Sequence, residues 1–221
     1  MKAIVFDLDG TLIHSAPDLH AACNRMLAEE GKPPQSLETV TGYIGNGVPR
    51  LVALAMQAAG IPESEHARLV GVFMRHYDAD PATLTTPYPN LLPLLESLKA
   101  RGHKLGLCTN KPEAPAREIL RLLEMEDYFA AVVGGDTLGV KKPDPAPLRQ
   151  CLKLLGEETC LYVGDSEVDA ETARRAGLPF ALFTGGYRKK PVSELPHDFA
   201  FDDFAALGPW IESRAPCPSR P

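Results

Sequence analysis

The sequence predicts an α/β fold, a doubly wound parallel sheet with a second, helical subdomain inserted near its start. Three observations predict it. A lone strand-like run opens the chain, short apolar runs alternate with helical patterns through its second part, and a long stretch of purely helical periodicity lies between them. The 221 residues are more than one minimal domain needs and fewer than two average domains take, so one domain carrying an insertion fits best.

The elements follow in order. Ala3 to Phe6 is a short apolar run stopped by an acidic, glycine-containing turn, and its Ile and Val make it a buried strand. Behind Pro17 the period changes: Leu19, Cys23, Met26 and Leu27 recur at three- and four-residue steps until Gly31, Pro33 and Pro34 end the helix. Val48 to Ala59 is a second amphipathic helix closed by Gly60, and Leu69, Val70, Phe73 and Tyr77 mark a third between Pro62 and Pro81. No strand is expected from Ser15 to Thr85. Beyond Pro87 the rhythm alternates: helix Leu91 to Ala100, strand Lys104 to Cys108, helix Glu113 to Leu123, strand Ala131 to Val133, helix Pro145 to Leu155. Strand Cys160 to Val163, helix Val168 to Ala176 and strand Phe180 to Phe183 complete it. This alternation predicts a Rossmann-like core of residues 1–14 and 86–210, interrupted in its first crossover by a helical block at 15–85. Residues 211–221 form a C-terminal tail in this division, of which Arg214 to Pro221 is proline-rich and frayed.

Composition narrows the function. Apolar residues make up 44% and charged residues 24%, so a real core is available and wholesale disorder is excluded. A net charge of −6 argues against nucleic acid or an anionic membrane as the partner, and no apolar run approaches a membrane span. Cys23, Cys108, Cys151, Cys160 and Cys217 are odd in number, widely spaced and without a CxxC pair, which points to free thiols in a reducing cytoplasm. Proline, with 21 residues, is over-represented and punctuates the joints.

In an open parallel sheet the ligand crevice lies beyond the carboxyl ends of the strands, so what each strand hands to its following loop is informative. The first delivers Asp7, Asp9, Gly10 and Thr11; the second, Thr109 and Asn110; the third leads through Gly134, Gly135 and Asp136 to Lys141 and Lys142; the fourth delivers Gly164, Asp165, Ser166 and Asp169. Clustered carboxylates without cysteine or clustered histidine make a hard oxygen site suited to Mg²⁺. Asp7 and Asp9 point to the same side of an extended segment, where two close like charges can divide between nucleophile and proton carrier. Thr109, the amides of Asn110 and of the Asp9 to Thr11 turn, and a lysine are donors suited to a phosphoryl group.

Read together, Asp7-Leu8-Asp9-Gly10-Thr11-Leu12, Thr109-Asn110-Lys111, Lys142-Pro143-Asp144-Pro145, and Gly164-Asp165-Ser166 with Asp169 resemble the four ordered motifs of the haloacid dehalogenase-like phosphatases. The Ile13 to Leu19 extension, Gly45-Asn46-Gly47 and the Gly134 to Pro147 stretch resemble most the phosphoglycolate phosphatases of that family. The resemblance implies that residues 15–85 are a helical cap, that Asp7 attacks phosphorus, and that Asp9 protonates the leaving alkoxide and later activates water. It implies Mg²⁺ held by the Asp7 carboxylate, the Asp9 carbonyl and Asp165, a phosphoryl group bound by Thr109 and Lys142, and Asp169, beside Ser166, orienting Lys142. Lys142 is preferred to Lys141 because the family lysine immediately precedes the proline. The substrate implied is 2-phosphoglycolate or a similar small phosphorylated metabolite, and the protein a cytoplasmic monomer or homodimer. Many relatives carry an acid where this chain has His14, to which no catalytic role is assigned.

Several readings stay open on the sequence alone. Asn46, Gly47 and Arg50 either cap the Val48 helix or hold a substrate carboxylate. Asp165 and Asp169 suit a helix N-terminus as well as a metal. Cys108 is either core packing or a reactive thiol beside the site. A phosphomutase of the β-phosphoglucomutase type is the alternative activity on the same scaffold. A carbon–halogen hydrolase is disfavoured, because that branch lacks the acid that stands here as Asp9.

Overall fold

Residues 2–214 are described by a computed structural model of the chain. Strand β1 (Ala3–Phe6) enters a turn and a two-residue strand β2 (Ile13–His14), after which four helices follow: α1 (Ala16–Glu29), α2 (Leu37–Thr41), α3 (Val48–Ala59) and α4 (His66–Ala79). The chain returns through β3 (Thr86–Pro87), then runs α5 (Leu91–Ala100), β4 (Lys104–Cys108), α6 (Glu113–Leu122), β5 (Ala131–Val133) and α7 (Ala146–Leu155). It ends with β6 (Cys160–Gly164), α8 (Glu167–Ala176), β7 (Phe180–Phe183), β8 (Phe199–Phe201) and α9 (Leu207–Ser213).

The main sheet has six parallel strands in the order β5-β4-β1-β6-β7-β8, the doubly wound arrangement expected from the alternation. Central β1 pairs Val5 with Gly106 on one side and with Tyr162 on the other. Successive residues face opposite layers: Ile4 and Phe6 join the core that continues into the α1–α4 helices through Leu19, Met26, Leu69 and Phe73, whereas Ala3 and Val5 join Leu148, Leu152 and Ala173 beneath α7 and α8. Burial on both faces explains why these strands read as unbroken apolar runs.

Within the helical block α1 packs on α2, α3 and α4, and α3 on α4, through the stripes visible in the sequence. The block is joined at both ends by an antiparallel ribbon in which Ile13 pairs with Pro87 and His14 with Thr86. The sequence gives no sign of this ribbon, because two residues carry no period. Strand β8 and helices α2 and α9 are likewise additions. Helix α9 carries packed structure as far as Ser213, with Ile211 buried within it, while 215–221, with Cys217, lies outside the described residues. No helix among the described residues is long and apolar enough to cross a membrane.

Candidate active site

The carboxyl ends of β1, β4 and β6 meet at one edge of the sheet, and the polar residues delivered there come together. Asp7 follows β1 with its amide still in the sheet ladder, donating to the Val163 carbonyl at 2.9 Å. Lys142 arrives from the loop after β5, its Nζ 2.8 Å from Asp7 Oδ1 and 2.7 Å from Asp169 Oδ1. It also donates to Tyr162 Oη at 3.0 Å, and that hydroxyl stands 2.8 Å from Asp169 Oδ1 and 3.2 Å from the Cys108 carbonyl, the two acceptors for its own proton. Lys141 points elsewhere, donating to the Asn46 carbonyl at 3.2 Å.

Asp165 leaves β6 with both oxygens oriented. Oδ1 accepts from Thr11 Oγ1 at 2.8 Å and Oδ2 from the Tyr187 amide at 2.6 Å. The turn after β1 approaches so closely that a Cβ on Gly10, at φ +86°, would lie 2.6 Å from Asp165 Oδ2. Asp169 and Ser166 form a capping box on α8: the Ser166 amide and hydroxyl donate to Asp169 Oδ2, and the Asp169 amide donates back to Ser166 Oγ. The capping alternative thus holds for Asp169, whose other oxygen takes Lys142.

These placements set the electrostatics. Burial raises the Asp7 carboxyl to about 7, with Lys142 pulling it down and Asp169 pushing it up. Burial, then the charges of Asp169 and Asp7, hold Asp165 well above the ordinary carboxylate range. Asp169 is depressed: burial works against its charge, but the Lys142 ammonium and hydrogen bonds from Lys142, Ser166 and Tyr162 prevail. Burial likewise opposes the Lys142 charge, and Asp169 with Asp7 outweighs it. Asp7, Asp165 and Asp169 each offer an oxygen within 4.8 Å of the others. Three buried acids facing one buried ammonium leave an excess of negative charge among hard oxygen donors, which fits Mg²⁺. Asp169 is taken up by Lys142, Tyr162 and its own capping box, which leaves Asp7 and Asp165 as the candidate ligands.

Asp9 turns away from that cluster. Its Oδ1 accepts from Ser15 Oγ at 2.6 Å, and Lys111 Nζ lies 3.2 and 3.1 Å from its two oxygens. Thr109 and Asn110 line the same cleft, and Asn110 Nδ2 donates to the carbonyls of Lys142 at 3.1 Å and Gly45 at 3.4 Å, tying the core loop to the helical block. Gly45, Asn46, Gly47 and Val48 supply the opposite wall. Arg50 does not join them: it is exposed and outside the cleft lining. Cys108 is also outside the lining, and burial pushes its thiol to about 12, which excludes a reactive thiolate beside the site.

Sequence reasoning assigned no role to Lys111, Ser15, Tyr162 or Tyr187. Lys111 stands in a quoted motif and could have been found by asking where the chain buries lysine. Tyr187 follows Gly185-Gly186 in the loop after β7, and its Oη accepts from the Ala16 amide at 3.0 Å and meets His14 Nδ1 at 3.1 Å. Tyr162 lies inside an apolar strand and carries no local signal.

A model of the haloacid dehalogenase-like hydrolases matches residues 1–177. The chain is 56% identical over 203 residues to a phosphoglycolate phosphatase of Cereibacter sphaeroides, covering 91% of this chain and 93% of that protein. It is 47% identical over 219 residues to a phosphoglycolate phosphatase of Rhodospirillum rubrum, covering 95% and 90%. A crystal structure titled as a predicted phosphoglycolate phosphatase, from Haemophilus somnus 129PT, superposes with a TM-score of 0.89 at 34% identity, covering 96% of this chain and 98% of that one. With its four motifs gathered at one sheet edge, the chain belongs to the haloacid dehalogenase-like hydrolase family.

Proposed function

We propose that this enzyme is a Mg²⁺-dependent phosphomonoesterase that works through an aspartyl-phosphate on Asp7 and converts 2-phosphoglycolate to glycolate and phosphate. The enzyme is a phosphatase; the substrate is taken from the names of the relatives at 56% and 47% identity. The observation that carries the mechanism is the different company kept by two neighbouring carboxylates: Asp7 faces Lys142, while Asp9 faces Lys111 and Ser15.

Asp7 attacks phosphorus, forming its O–P bond as the ester P–O bond breaks, and Asp9 gives its proton to the departing glycolate oxygen. Asp9 then takes a proton from the water that attacks the aspartyl-phosphate, which frees phosphate and restores the Asp7 carboxylate. Lys142 and Thr109 bind the phosphoryl oxygens, and Asp169 with Tyr162 orients Lys142. Asp7 and Asp165 would hold Mg²⁺, which would supply positive charge favouring ionised Asp7 and stabilising the transferring phosphoryl group. In this reading α1–α4 form a cap over the cleft, joined to the α/β core by the β2–β3 ribbon. The free Cys23, Cys108, Cys151 and Cys160 support a cytoplasmic setting.

The test is phosphate release from 2-phosphoglycolate by the purified chain, with and without Mg²⁺, beside Asp7→Asn. Release that needs both Mg²⁺ and Asp7 is expected. Undiminished turnover by Asp7→Asn would contradict the mechanism, and isomerised product without free phosphate would assign a mutase.

A further inference from the structure

The cleft holds a second buried cation, Lys111, to which the proposed phosphoryl binding assigns no substrate oxygen. Lys142 is committed to Asp7 and Asp169, but among the described residues the Lys111 side chain, 7% exposed, meets Asp9 alone as a carboxylate, at 3.1 Å from its nearer oxygen. Its ammonium lies over the Tyr77 ring of α4, 4.9 Å from the centroid, so a residue of the helical block fixes it from the far side. The Tyr77 residue is itself buried, so the ring that faces the ammonium is held in the packed interior.

We infer that Lys111 determines substrate specificity by taking the carboxylate of the phosphorylated acid. This rests on the proposed 2-phosphoglycolate reading. Asp9 serves the ester oxygen, and the substrate carboxylate stands one methylene away from that oxygen. An ammonium within 3.2 Å of both Asp9 oxygens is therefore in reach of the carboxylate and has three N–H donors to share. The other cations near the cleft are less suited. Arg50 is outside the lining, Lys141 is exposed and bonded to the Asn46 carbonyl, and Lys189 lines the cleft but is exposed. The wall supplied by Leu19, Ile44, Val48 and Leu51 is apolar and offers no competing charge. A phosphoester whose leaving group is uncharged gains nothing from Lys111.

The experiment compares kcat/KM for 2-phosphoglycolate with that for ethyl phosphate in the intact chain and in Lys111→Met, Lys111→Gln and Lys189→Met. The ratio cancels any loss of folded enzyme and any loss of proton transfer common to both substrates. In the Lys111 variants it should fall roughly 10- to 100-fold, the equivalent of one charge-assisted hydrogen bond, mostly through KM for 2-phosphoglycolate. Lys189→Met should keep the ratio. An unmodified enzyme with no preference for 2-phosphoglycolate overturns the substrate reading and the role of Lys111 together. A preference that survives in Lys111→Met and Lys111→Gln, or that falls in Lys189→Met instead, overturns the role of Lys111 alone.

Discussion

Lys142 Nζ and Asp169 Oδ1 meet at 2.7 Å in full burial, 27 residues apart in sequence. Each is the other's principal counter-charge, since Asp169 is the largest influence raising Lys142 and Lys142 the largest lowering Asp169. Removing Asp169 leaves the buried Lys142 ammonium with Asp7 as its remaining carboxylate partner. Asp169→Ala is accordingly expected to cost at most about 3–5 kcal/mol of unfolding free energy in urea titration, the range for a buried charge left wholly unpaired. A loss within about 0.5 kcal/mol, the range of an ordinary surface substitution, would show that the pair is solvated in solution.

The buried acids make the metal-free fold sensitive to pH. Asp7 is raised from 3.8 to about 7 and Asp165 is raised as well, so both bind protons more tightly folded than unfolded. The stability they contribute is full below their ordinary values and is lost as pH rises through the folded ones, for Asp7 near about 7. Mg²⁺ competes with those protons. Thermal unfolding should therefore show a larger MgCl₂-induced rise in Tm at about pH 8 than at about pH 5, and equal rises would contradict the Asp7–Asp165 site.

Thr11 contacts Asp165 and, in the proposed scheme, not the metal. Its hydroxyl donates to Asp165 Oδ1 at 2.8 Å, leaving Oδ2 to the Tyr187 amide. Thr11→Val should weaken Mg²⁺ binding roughly 10- to 100-fold, read as the shift in the Mg²⁺ dependence of phosphate release. Saturating Mg²⁺ should recover most of the activity.

Gly10 is intolerant for two separate reasons. Its φ of +86° disfavours any L side chain, and a Cβ would meet Asp165 Oδ2 at 2.6 Å. Gly10→Ala should lower stability by more than ~1 kcal/mol and reduce Mg²⁺-dependent turnover together. Loss of stability with unchanged Mg²⁺ dependence would mean that the turn yields and Asp165 does not.

The architecture and the set of chemical groups at its working edge are legible in the amino-acid order. Parallel strands buried on both faces are written as Ala3–Phe6, Lys104–Cys108 and Cys160–Gly164, and the loops after them carry Asp7, Thr109 and Asp165 because a sheet offers one crevice at its carboxyl ends. Period and motif order are local properties, so a linear reading recovers them. Lys111 against Asp9 and Tyr77, Tyr162 between Lys142 and Asp169, and Tyr187 bracing Asp165 are pairings across long stretches of chain. Packing in three dimensions sets these pairings, as it turns Arg50 to solvent and pairs Ile13–His14 with Thr86–Pro87. A side chain's charge and partners depend on what burial removes from water around it, and burial is set by the packing of elements distant in sequence.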